Sequence, residues 1–158
     1  MDLILWRHAD AGDNLEDEAA DLERTLKSKG ERQARRVADW LNQFLPDSAR
    51  VISSPALRCM QTAATLGRRV KKVEALAPGG SVEGLLAAAR WPDSREAVVV
   101  VGHQPTLGLA AAYLMCGEAA RHCEPWAIKK GSVWWLRNRP REARAEVVIV
   151  AVRTAEGL

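Results

Sequence analysis

With 158 residues, 47% of them hydrophobic and 27% charged, the chain is long enough to bury the core of one domain and too apolar to remain disordered. The formal charge of +3 is mild, and its scattered basic residues, mostly arginine, form no run interleaved with aromatics, which argues against nucleic acid as a partner. The opening apolar run is far too short for a membrane span or a signal peptide, so one cytoplasmic domain over residues 1–158 is expected, with a monomer favoured.

Leu3 to Trp6 is a short, continuous apolar run and reads as a buried strand ending at Arg7 and His8. Residues 9–23 carry acidic side chains and no basic one, and read as a solvated loop turning at Gly12, Asp13 and Asn14. From Ser28 to Leu45 a helical stripe of Ala34, Val37, Ala38, Leu41, Phe44 and Leu45 follows. Ser28 and Glu31 have capping-box spacing at its start, and Pro46 and Asp47 close it. "RVISSP" (50–55) is a second strand, and "ALRCMQTAATLGRR" after it a helix. Lys72 to Leu76 suggests a short strand, "APGGS" a turn, and residues 82–90 a helix. "AVVVVG" (97–102) is apolar throughout, as befits a central strand covered on both faces. Pro105 to Met115 is helical, with proline suited to the first turn, and strands at Ser132–Leu136 and Glu146–Val152 finish the chain. This alternation predicts an α/β fold: a three-layer α/β/α sandwich with a mostly parallel sheet.

Cys59, Cys116 and Cys123 match no disulfide framework, and Cys116, His122 and Cys123 lack a fourth ligand for zinc; buried thiols are the expectation. The chemistry lies instead at strand ends. One strand runs into Arg7-His8, the next into Ser53-Ser54-Pro55 with Arg58 just beyond, and the strongest into Gly102-His103-Gln104-Pro105. Open α/β sheets bind ligands beyond the carboxyl ends of their strands, so two histidines and two arginines should meet at one edge. Arg58 would also stand in the first turn of a helix, where free N–H groups and the dipole favour an anion. A phosphoryl group suits that set. Flanking arginines keep a histidine neutral, as a nucleophile must be, and match the charge on the oxygens in transit without a metal or other cofactor.

"LWRHADAG", "DLERTLKSKGERQA", "VISSPALRCMQTA" and "VVVVGHQPTLG" together resemble the histidine phosphatase superfamily, marked by Arg-His at the end of the first strand. The compact length, "RHADA" and "KKGSVWWL" (129–136) look most like its SixA-type phosphohistidine phosphatases. The resemblance implies a phosphoglycerate-mutase-like fold in which His8 attacks phosphorus and carries the phosphoryl group. Arg7 and Arg58 would bind its oxygens, His103 would join them as a donor, and Arg24 would line the pocket. It implies a phosphohistidine-bearing protein as substrate, such as a phosphotransfer domain. Two departures stand out: Lys27 replaces a common threonine, so that Ser28 would take over capping, and Gln104 stands where asparagine is frequent, with little effect expected. Many relatives use a glutamate as proton donor, but the matching turn reads "LAPGGSVEG" (76–84). Glu83 is the nearest carboxylate and Asp10 another candidate. A phosphorylated imidazole can leave without such an acid, which favours a P–N substrate. The alternatives are a small phosphomonoesterase and a non-catalytic module that binds phosphoproteins.

Overall fold

The computed structural model describes residues 1–141 and 144–158. Six strands form one sheet: β1 (Asp2–Arg7), β2 (Arg50–Ser53), β3 (Val70–Lys72), β4 (Val98–Gly102), β5 (Val133–Arg141) and β6 (Arg144–Arg153). Among the described residues five α-helices accompany them: α1 (Glu18–Leu22), α2 (Ser28–Phe44), α3 (Leu57–Ala64), α4 (Val82–Ala89) and α5 (Thr106–Cys116). The strand order is β3-β2-β4-β1-β5-β6. The first four in that order are parallel, and β5 and β6 add an antiparallel hairpin beside β1.

The alternation of side chains along each strand builds two cores. Ile4, Trp6, Val99 and Val101 pack under α2 and α3, while Leu3, Leu5, Val98 and Val100 pack under α4 and α5. Val98 to Val101 are all fully buried, which explains why "AVVVV" shows no polar alternation. Each such side chain contributes about 1.5–3 kcal/mol of transfer free energy, so β4 anchors the sheet that carries the site. The expected three-layer sandwich is the observed fold.

Local differences have local causes. The loop over residues 9–23 contains one short helix, α1, started by Asp17, whose Oδ1 accepts from the Ala20 N–H. The capping box at Ser28 does not form: Lys27 is the N-cap and makes no side-chain capping bond. Its N–H instead donates to the Asp10 carbonyl at 2.9 Å, tying the start of α2 to the loop that follows His8. Gly30 makes that approach possible, since a Cβ there would sit 2.0 Å from the Asp10 oxygen. The strand expected at Lys72–Leu76 ends at Lys72 and gives way to a 3-10 turn, Glu74–Leu76. Cys59 is buried as expected, but Cys116 and Cys123 are exposed. No helix is long and apolar enough to cross a membrane among the described residues.

Candidate active site

β1, β2 and β4 run in one direction, so their carboxyl ends deliver His8, Ser54 and His103 to the same edge of the sheet. The backbone around His8 is fixed from three sides. Its N–H donates to the Gly102 carbonyl at 3.1 Å, its carbonyl accepts from Gly131 at 3.0 Å, and the Ala9 N–H donates to Thr62 Oγ1 at 3.1 Å. Thr62 passes the constraint on, donating to the Arg58 carbonyl one turn earlier on α3 at 2.7 Å. The His8 and His103 rings stand 5.3 Å apart, tilted by 58°.

Both imidazoles have assigned protons. Nδ1 of His8 lies 2.8 Å from the Ala9 carbonyl, which can only accept, so Nδ1 carries the hydrogen and Nε2 keeps its lone pair. His103 is held the other way round: Nε2–H donates to Ser54 Oγ at 2.7 Å, and Nδ1 faces Arg58 Nη2 at 3.5 Å. The Cys59 sulfur packs 3.4 Å from Nε2 beneath the ring. Burial pushes that thiol up to about 12, so it lines the floor as a neutral group. Burial also lowers the His8 pKa to about 4, assisted by the charges of Arg58, Arg7 and Arg24. His103 falls to about 3, again chiefly through burial, with His8, Arg58 and Arg7 adding to it.

These values set an expected result. The chain has three histidines, so their ring signals are resolvable by NMR. Those of His8 and His103 should stay at neutral-ring positions down to about pH 5, well below the ordinary imidazole midpoint. A midpoint near 6.5 for His8 contradicts this electrostatic account. Because the unfolded chain binds those protons more readily, the stabilising contribution is complete above about 6.5 and declines as pH falls towards the folded-state values.

Arg58 is almost fully buried, and α1 holds it. Its Nη1 donates to the Asp21 carbonyl at 2.7 Å, and its Nη2 lies 3.1 Å from Asp21 Oδ2. Arg7 Nη1 donates to the Ile128 carbonyl at 2.7 Å. In both arginines Nε is buried and has no hydrogen-bond partner among the described residues. Two guanidinium groups whose charges act on one pair of neutral histidines, Arg58 lying 3.5 Å from His103, suit an anion bound between them.

Arg24 is brought close, but four of its five N–H donors are taken. Nε reaches Asp21 Oδ1 at 3.0 Å, Nη1 the Ala11 and Gly12 carbonyls at 2.9 and 3.0 Å, and Nη2 Asn14 Oδ1 at 2.8 Å. It therefore organises the acidic loop, and its charge still acts on His8. Asp21, absent from the sequence expectations, joins the two arginines. Burial alone would raise its pKa, but the Leu15 N–H, Arg24 and Arg58 outweigh that and hold the carboxyl below its usual range. Its i,i+3 spacing to Arg24 in "DLER" was the available signal.

Neither candidate acid is free beside the histidines. Asp10 accepts from the Gly12 N–H at 3.1 Å and from Lys130 at 3.4 Å, and these contacts keep it ionised below the ordinary carboxylate range. Glu83 lies in the first turn of α4 and lines a recess of about 230 Å³ with Leu86, Leu109, Tyr113 and Arg121, which neither His8 nor His103 borders. The "APGGS" turn is tied to the start of α5 by Thr106 Oγ1, which donates to the Gly80 carbonyl at 2.8 Å. Gln104 bridges two elements: Oε1 accepts from Gly108 at 2.8 Å, and Nε2 donates to the Trp126 carbonyl at 2.8 Å. Gly108 has no room for a Cβ, which would meet that carbonyl at 2.1 Å.

A parallel sheet extended by an antiparallel hairpin, with paired histidines and arginines at its carboxyl edge, defines the class. The chain belongs to the histidine phosphatase superfamily (branch 1), whose family model matches residues 3–85. It is 37% identical over 147 residues to an uncharacterised protein of Picosynechococcus sp. strain PCC 7002, covering 87% of this chain and 86% of that one. It is 32% identical over 127 residues to the phosphohistidine phosphatase SixA of Escherichia coli K12, covering 75% and 76%. Among solved structures, the protein histidine phosphatase SixA complexed with tungstate superposes with a TM-score of 0.79 at 25% identity, covering 99% of both chains.

Proposed function

We propose that the protein removes the phosphoryl group from phosphohistidine on a protein, through a phosphohistidine intermediate on His8 and without a metal. The observation that carries this reading is the juxtaposition of His8, whose Nε2 is unprotonated, with the His103 ring 5.3 Å away and the Arg58 guanidinium 3.5 Å from that second ring, Arg7 adjoining His8 in the chain. The likeness to SixA proteins supports the same substrate class.

In the first step the lone pair of His8 Nε2 forms a bond to phosphorus as the bond from phosphorus to the substrate imidazole nitrogen breaks. Nδ1–H stays on the Ala9 carbonyl and stabilises the cationic ring that results. Arg7 and Arg58 donate to the equatorial oxygens, where charge is greatest in transit. A bound phosphoryl dianion favours the imidazolium form of His103, which adds positive charge beside it while Nε2–H remains on Ser54. In the second step water attacks phosphorus, phosphate departs, and His8 returns to its neutral form. Arg24 and Asp21 hold Arg58 and the loop in place throughout.

The test uses a chemically histidine-phosphorylated protein, incubated with enzyme first dialysed against a strong chelator. Inorganic phosphate should be released at the undialysed rate. Failure to release phosphate, or a loss that a divalent cation restores, overturns the reading.

A further inference from the structure

The carboxyl end of β1, the first turns of α2, the start of β5 and the end of β6 all lie at one end of the molecule, because α2 returns against β1 and β5 runs antiparallel to it. Positive charge gathers there. Lys29, Arg32 and Arg36 follow one another at helical spacing along an exposed face of α2. Lys129 and Lys130 approach from the segment before β5. Two adjoining recesses run between these elements. The larger, about 440 Å³, is bordered by Lys29, Lys129 and Lys130 together with Arg7 and Asp10, one residue before His8 and two after it in the chain. The smaller, about 110 Å³, is bordered by Lys29, Arg32 and Arg36, and Glu156 is the one carboxylate on its wall and also borders the larger.

The catalytic chemistry described above uses none of these lysines, nor Arg32 and Arg36. Lys130 is paired with Asp10, and Lys129 lies 3.5 Å from Glu156 with both groups exposed. Lys29, Arg32 and Arg36 form no salt bridge among the described residues. The neighbouring Arg35 only approaches Glu31, at 4.0 Å. Ser132, on the wall of the larger recess, is almost fully buried, and its hydroxyl has no partner among the described residues. Toward β2 and α3, across β1 from the hairpin, residues 13–23 are rich in acidic side chains, and Asp21 among them reaches Arg58. The site thus opens between one basic bank and one acidic bank, in a protein whose overall charge is only +3.

We infer that the ridge of Lys29, Arg32 and Arg36, continued by Lys129, is a docking surface for an acidic face on the phosphohistidine-bearing protein, beside the histidine that enters the site. This rests on the function proposed above. Opposed patches of charge accelerate encounter and fix orientation. The acidic loop on the far bank would repel the same face, so only one orientation places the phosphorylated ring over His8. A small phosphorylated molecule touches neither bank and gains nothing from the ridge.

The test compares two synthetic phosphohistidine peptides of equal length, one flanked by glutamates and one by alanines. At low salt the wild-type protein should favour the acidic peptide in kcat/KM by about tenfold or more, and added salt should erase the difference. The triple variant Lys29→Glu, Arg32→Glu, Arg36→Glu, exposed throughout, should lose that preference while hydrolysing the alanine-flanked peptide at the wild-type rate. Equal rates for the two peptides on the wild type, or a preference that survives charge reversal, overturn the inference. Fluorescence anisotropy of the unphosphorylated acidic peptide keeps the two proposals separable. If neither phosphopeptide is hydrolysed but the peptide binds wild type and not the triple variant, the surface stands and the assigned reaction falls. Tighter binding of a single-stranded RNA of equal length than of the acidic peptide rejects the protein partner.

Discussion

Replacing His8 with alanine should lower turnover by about four orders of magnitude or more, while tungstate or phosphate still binds. The two outcomes separate because different groups are responsible for them. Attack on phosphorus needs the Nε2 lone pair, and the Ala9 carbonyl fixes it on that nitrogen by taking the Nδ1 proton. His103 cannot substitute. Its Nε2 is turned to Ser54 and Cys59, and its Nδ1 faces a guanidinium. On the proposed reading the anion is bound by Arg7 and Arg58, which are held by the Ile128 carbonyl and by Asp21, contacts that the substitution leaves in place. A loss of that size corresponds to about 5.5 kcal/mol or more of transition-state stabilisation. The check is rapid quenching with radiolabelled substrate: the wild type should carry an acid-labile label that His8→Ala lacks. Activity above about one hundredth of wild type in the variant assigns the nucleophile elsewhere.

The strand ends were the legible part of this protein, and the reason is burial. Val98 to Val101 and Leu3 to Trp6 are apolar because both faces of the sheet are covered, so the first polar residues after them mark the edge where ligands bind. The strand ends alone place His8, His103 and Arg58 together. The loop between β1 and α2 was not legible in the same way. Its acidic residues read as solvated, yet Asp21 is largely shielded and joins Arg58 to Arg24. Partners that are distant in sequence decide such a role, and a charge pattern alone does not reveal them. The start of α2 misled for a related reason. Ser28 has the residue type for a cap, but the backbone contact from Lys27 to Asp10 sets the helix boundary, and a backbone contact leaves no residue signature. The expectation of buried thiols holds for Cys59, which packs against His103, and fails for Cys116 and Cys123, which face solvent.

Phosphohistidine should be hydrolysed faster than alkyl phosphates by orders of magnitude, with aryl phosphates in between, because neither candidate carboxylic acid stands ready beside the histidines. Asp10 is held ionised by the Gly12 N–H and Lys130, and Glu83 borders a different recess. The turn that approaches the start of α5, "APGGS", offers no carboxylate. An alkoxide must acquire a proton as it departs, and a missing general acid costs typically 10²–10⁴-fold. An imidazole protonated on its far nitrogen departs as a neutral ring and incurs no such loss. The rate across a series of aryl and alkyl phosphates should therefore fall steeply as the leaving oxygen becomes more basic, and phosphohistidine should lie above that line. Measuring kcat for the series at pH 7 decides the matter. A flat dependence means that some group donates a proton, and Glu83→Gln and Asp10→Asn are then the first variants to make. Steepening of the line in Glu83→Gln would show that α4 moves its carboxylate over the site when substrate binds, and the phosphomonoesterase reading would replace the one proposed here.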